Sequence, residues 1–131
     1  MKIHESAENY LETILVLRQR NGNVRSIDIA NELDFSKPSV SVAMKNLRAN
    51  GYIQVDDSGN ISLLPEGLEI AQSVYEKHTL LTQCLIALGV PEAIAAEDAC
   101  RIEHVLSRES FEAIKTHLDR SLGNQQKMEE A

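Results

Sequence analysis

The stretch from Ser26 to Leu63 constrains this chain most, because turn signals cut it into pieces that fit two short helices and a hairpin. Ser26 reads as an N-cap, followed by Ile27, Ile29, Ala30 and Leu33 on a short helix, and Asp34-Phe35 as a brief turn. Ser36 is the next N-cap. Pro38 fits just inside that helix, where its missing N–H would be unpaired anyway. The helix buries Val40, Ala43, Met44 and Leu47 and stops at Asn50-Gly51, a left-handed C-terminal signal. Tyr52-Ile53-Gln54-Val55 and Ile61-Ser62-Leu63 then flank Asp56-Asp57-Ser58-Gly59-Asn60, which predicts a β-hairpin. Upstream, Ser6 as N-cap with Ala7, Tyr10, Leu11, Ile14 and Leu17 gives one more apolar helical face, ended by Asn21-Gly22-Asn23. Helix, helix, helix, hairpin is the order of a winged helix-turn-helix.

Beyond Pro65 the pattern is helical throughout. Ile70, Val74, Leu81, Leu85 and Leu88 mark a helix of about six turns ended by Gly89. Pro91 starts another, carrying Ala95, Ala99, Ile102 and Leu106, and Ser107 caps a last one with Phe111, Ile114 and Leu118 inside. From Gly123 the polar tail is expected to fray. The fold class is therefore mainly α with a small β-hairpin. A winged helix-turn-helix over residues 1–64 precedes a helical domain over 65–122 and a polar tail over 123–131.

A formal charge of −7 argues at first against nucleic acid. The placement of the charges along the chain offsets that argument. Ser36 to Asn50 holds Lys37, Lys45 and Arg48 and no acid, whereas Pro65 to Ala131 holds 12 acids against 6 bases. An acidic protein still binds DNA if its bases face the phosphates. Cys84 and Cys100 make no disulfide framework. With no signal peptide and no apolar run approaching a membrane span, a cytoplasmic protein with no membrane partner is expected.

In a helix-turn-helix the second helix of the motif reads base edges in the major groove with its N-terminal residues. Here those are Ser36, Lys37, Pro38, Ser39, Val40, Ser41 and Val42. Lys37 and the helix N-terminal amides suit phosphate, Ser39 and Ser41 let the backbone approach, and Val42 suits a thymine methyl. No Arg or Gln is placed for a bidentate base contact, so specificity rests partly on DNA shape. Ser36 and Ser39 serve equally well as plain helix caps.

Cys100, Glu103 and His104 stand at i, i+3 and i+4, which on a helix gathers thiol, carboxylate and imidazole, donors suited to a first-row transition metal. His78 interrupts the apolar stripe between Val74 and Leu81, and Asn9 and Glu12 share a face of the first helix. Each also has an ordinary reading: a hydrogen-bonded core histidine, a solvated Glu-His pair, a small buried thiol, a polar helix surface. Spacing alone leaves both open. A metalloenzyme would need an open site and a placed base, and neither an HExxH motif nor a nucleophile elbow occurs. A winged-helix regulator sensing an organic ligand is the chief alternative, and a metal-buffering protein would leave the reading helix without a role.

Over residues 5–118 the sequence resembles the DtxR/MntR family of iron- and manganese-dependent repressors, in its short two-domain form. The likeness runs through Ser6-Ala7-Glu8-Asn9-Tyr10-Leu11-Glu12, Ser36-Lys37-Pro38-Ser39-Val40-Ser41 and Leu63-Leu64-Pro65-Glu66-Gly67. It continues through Val74-Tyr75-Glu76-Lys77-His78 and Asp98 to Ser107. The resemblance implies a homodimeric repressor of metal homeostasis that binds a double-stranded operator, with no organic substrate. It implies that Asn9, Glu12, His78, Cys100, Glu103 and His104 line the metal sites. Manganese-type members carry an aspartate in place of Asn9 and a glutamate in place of Cys100. Iron-type members carry a methionine in place of Asn9 and share the cysteine. The iron type's ancillary site takes a carboxylate and a histidine where this chain has Thr82 and Ala96. A thiolate moves preference from Mn²⁺ toward Fe²⁺, with Co²⁺, Ni²⁺ or Zn²⁺ also accepted in vitro. Fe²⁺ is thus the first expectation and Mn²⁺ the second. A cation stapling the first helix to the later ones would set the spacing of paired reading helices to the ~34 Å of one DNA turn.

Overall fold

A computed structural model describes residues 5–130, and the side chains of residues 5–120. Its elements are α1 (Glu5–Asn21), α2 (Ser26–Leu33), α3 (Lys37–Ala49), β1 (Ile53–Val55), β2 (Ile61–Leu63), α4 (Pro65–Ala87), α5 (Glu92–Ile102) and α6 (Arg108–Glu130). The chain forms two compact units, residues 1–75 and 76–131, divided within α4.

In the first unit α1, α2 and α3 close around one core, with the hairpin as its edge. Leu11, Ile14, Val24, Ile29 and Val40 are fully buried there, joined by Leu17, Met44, Leu47, Ile53, Ile61 and Ala71. Each large aliphatic side chain contributes about 1.5–3 kcal/mol by leaving water. Met44 and Leu47 turn one face of α3 into this core and leave Ser39, Ser41 and Val42 outside. Tyr10 meets Phe35 edge to face at 6.0 Å, which packs α1 against the turn before α3.

β1 and β2 pair antiparallel in the register Ile53↔Leu63, Gln54↔Ser62 and Val55↔Ile61. Asp56 builds the turn: its Oδ1 accepts the N–H groups of Ser58 and Asn60, both at 2.9 Å. Those bonds, the Asn60 backbone N–H first, hold the Asp56 carboxyl below the ordinary carboxylate range. A carboxyl depressed in the fold adds stability that is complete at neutral pH and lost only in acid. Gly67, at the start of α4, has no room for a side chain, because a Cβ there would stand 2.2 Å from the Tyr52 carbonyl oxygen.

Two helix starts differ from the sequence reading. α1 already includes Ser6, so that serine is inside the helix rather than its N-cap. α2 begins at Ser26 with Arg25 in the cap position, because the Asp28 carboxylate accepts the Arg25 backbone N–H at 2.9 Å. That bond is the carboxylate half of a capping box. At α3 the expected cap is present: Ser36 Oγ accepts the Ser39 N–H at 3.3 Å, and Pro38 lies in the first turn.

The second unit comprises the end of α4 with α5 and α6. Leu81, Ala95, Ala99 and Phe111 are buried in it. Lys77 lies 5.9 Å from the Phe111 ring centroid, and Lys115 Nζ pairs with Glu76 at 2.6 Å. Ser107 caps α6 as expected, its Oγ accepting the Ser110 N–H at 3.2 Å. The helix then continues past Gly123 to Glu130, where the sequence reading set a frayed tail. Gln, Lys, Met and Glu are good helix formers, so a polar run needs no break.

Candidate metal centre and DNA-reading surface

Glu103 and His104 were expected on one helical face with Cys100, but α5 ends at Ile102. Glu103 keeps helical dihedrals and bonds the Ala99 carbonyl at 2.9 Å. His104 and Val105 continue as a turn, closed by the N–H groups of Val105 and Leu106 on the Ile102 carbonyl, both at 3.0 Å. Glu103, a residue that reads as solvated, is 1% exposed.

A buried carboxylate is costly unless it is paired and hydrogen-bonded. Here His78 Nδ1, from α4, stands 2.9 Å from Glu103 Oε2. The other oxygen, Oε1, is buried and makes no hydrogen bond, although His104 Nε2 lies 3.3 Å from it. The His104 side chain is itself only 3% exposed, and that of His78 is 29% exposed. Metal-bound histidines commonly have their other ring nitrogen hydrogen-bonded to a carboxylate, and Glu103 stands at that distance from His78 Nδ1. Two imidazoles around a buried carboxylate are a donor set that fits a divalent transition metal.

The remaining candidates are placed as follows. Cys100 lies on α5 and is exposed. The Thr82 hydroxyl donates to the His78 carbonyl at 2.7 Å within α4. In the first unit, Asn9 and Glu12 are half-buried on α1, and the Asn9 carbonyl accepts the Thr13 hydroxyl at 2.8 Å.

At the candidate DNA-reading surface, Ser36, Lys37, Pro38, Ser39, Ser41 and Val42 are all exposed at the start of α3. Val42 is 60% exposed. Ser26, Ile27, Lys37 and Ser41 line a shallow depression of about 260 Å³ between the starts of α2 and α3. Sequence reasoning missed one member of this unit, Arg25, whose guanidinium donates from Nη2 to the Ser58 carbonyl on the wing.

Both halves of the chain match one family. Residues 2–60 match the iron-dependent repressor N-terminal DNA-binding domain, and residues 64–124 match the iron-dependent repressor metal-binding and dimerisation domain. The chain belongs to the iron-dependent repressor family, the DtxR/MntR group. It is 36% identical over 109 residues to the transcriptional regulator MntR of Salmonella typhimurium, spanning 83% of this chain and 69% of that protein. It is 31% identical to an uncharacterized HTH-type transcriptional regulator of Methanocaldococcus jannaschii, over 88% of this chain and 94% of that one. Among solved structures it superposes on the manganese regulator SloR with a TM-score of 0.77 and 28% identity. That match covers 91% of this chain and 55% of SloR, so the chain spans about half the length of that protein.

Proposed function

We propose that this chain is a cytoplasmic, homodimeric transcriptional repressor that binds its operator when Fe²⁺ or Mn²⁺ is bound, and that it carries no catalytic activity. The observation that supports the metal reading best is the buried Glu103, flanked by two imidazoles and left with one oxygen making no hydrogen bond. His78, Glu103 and His104 form the core of the proposed ligand set. The family resemblance adds Cys100, Asn9 and Glu12, and the set extends to them on that ground. A bound cation supplies positive charge at the Glu103 carboxylate and fixes the orientation of the imidazoles. His78 meanwhile keeps its hydrogen bond to Glu103, which holds the ring in one tautomer.

For DNA, the proposed contacts are Ser36, Lys37, Pro38, Ser39, Ser41 and Val42, with 1–64 as the DNA-binding domain and 65–122 as the metal-binding and dimerisation domain. Lys37 and the first amides of α3 serve phosphates; Val42 serves an apolar base edge. Metal and operator are then linked reciprocally, and a coupling of about 1–3 kcal/mol gives roughly 5- to 150-fold regulation. The likeness to the manganese regulator SloR and the manganese-activated repressor ScaR brings Mn²⁺ level with Fe²⁺ here, since the imidazole and carboxylate donors at the core do not select between them. Metal-resolved elemental analysis of the purified protein, with thermal melts after chelation and after adding Mn²⁺ or Fe²⁺, tests the reading. A metal-dependent rise in Tm that Glu103→Gln removes supports it; no uptake of either ion rejects it.

A further inference from the structure

The hairpin from Tyr52 to Leu64 contains Asp56 and Asp57 and no Lys or Arg. A wing of that charge is repelled by phosphates and cannot be fixed on DNA by its own electrostatics. It has to be held from the protein side, and Arg25 is placed to do that. Its Nη2 donates to the Ser58 carbonyl at the wing tip. Its guanidinium also lies against Gly59, where a Cβ would stand 3.4 Å from Nη2 and 3.5 Å from Nε. Beside it, the Val24 carbonyl accepts the Ile61 N–H at 2.7 Å, so residues 24 and 25 together grip both the second strand and the tip. The tip they grip is prebuilt by Asp56, which accepts from Ser58, Asn60 and the Asn60 side chain.

We propose that Arg25 is a positioning residue for DNA recognition, a strut from the start of α2 that holds the wing tip in one attitude toward the duplex. The proposal rests on the DNA-binding reading of this unit and adds to it a residue that acts through the wing rather than on phosphate. A planar guanidinium suits the task because it bonds a carbonyl in its plane while packing its face on a glycine.

The test uses the full-length protein loaded with Mn²⁺ to select a binding duplex from random DNA. Wild type, Arg25→Lys and Arg25→Ala are titrated against that duplex over a range of salt. Amide hydrogen exchange at Gly59 and Asn60 is measured separately, without DNA. Both variants should exchange faster at those amides and bind about tenfold more weakly. The slope of log K against log salt should stay at the wild-type value, because no phosphate contact is lost. Rescue by Arg25→Lys, or a slope lowered by about 0.9 in Arg25→Ala, would make Arg25 a phosphate ligand and overturn the proposal. Unchanged exchange in both variants would overturn it too. Because exchange is read without DNA, failure of the wild type to select any duplex would count against the DNA-binding reading and leave the strut to be decided by exchange.

Discussion

His78 Nδ1 sits 2.9 Å from Glu103 Oε2, joining α4 to the turn after α5 across 25 positions of sequence. This pair carries a cost as well as a contact, because one carboxylate oxygen is buried and makes no hydrogen bond. Glu103→Gln leaves His78 an acceptor but breaks a buried pair, so the metal-free protein should lose stability, by at most about 3–5 kcal/mol. It should also abolish the rise in Tm on adding Mn²⁺ or Fe²⁺. Calorimetry of both proteins with and without metal checks this; a Glu103→Gln variant that keeps the full metal-induced shift refutes the site.

Cys100 offers the one soft donor of the proposed set, one turn ahead of Glu103 and exposed. Loading with Co²⁺ should give a thiolate-to-metal charge-transfer band in the near ultraviolet, and Cys100→Ser should lose it. A spectrum identical in the two proteins would remove Cys100 from the ligand set and leave imidazole and carboxylate alone.

On the reading helix, Lys37 is exposed beside the Ser36 cap. Lys37→Ala should weaken binding to all duplexes alike and lower the salt slope by about 0.9, as expected for one lost phosphate contact. Ser36→Ala should instead cost about 1 kcal/mol of stability through the lost cap. Salt-dependent titrations of one variant and denaturant melts of the other separate the two roles.

Gly67→Ala tests the junction between wing and α4. The added methyl meets the Tyr52 carbonyl at 2.2 Å, and backbone on both sides cannot step aside cheaply. A destabilisation of roughly 1–3 kcal/mol is expected from overpacking of this kind. Urea melts measure it, and an unchanged midpoint would mean that the two segments separate readily.

The sequence made the first unit largely legible because its signals are local. Ser36, Asn50-Gly51 and the Asp56–Asn60 turn each specify their own backbone within a few residues, and the elements appear where those signals put them. Ser6 and Ser26 misled for the same reason: a serine near a helix start is only one way to satisfy the first amides, and Asp28 supplies another for α2. The site was less legible. His78 and Glu103 are joined by tertiary packing, and the i, i+3, i+4 spacing of Cys100, Glu103 and His104 concealed that the helix stops at Ile102. The burial of Glu103 comes from tertiary packing, which no periodicity signals. Arg25 escaped notice because its partner is a backbone carbonyl 33 residues away, and a carbonyl leaves no trace in the sequence.

Metal control is tested most directly by fluorescence anisotropy of a selected operator duplex, titrated with the protein after exhaustive chelation and again with Mn²⁺ or Fe²⁺ restored. Operator affinity should rise by roughly 5- to 150-fold with the ion present, and that gain should vanish in Glu103→Gln. Equal affinity with and without the ion in the wild-type protein would contradict metal control outright.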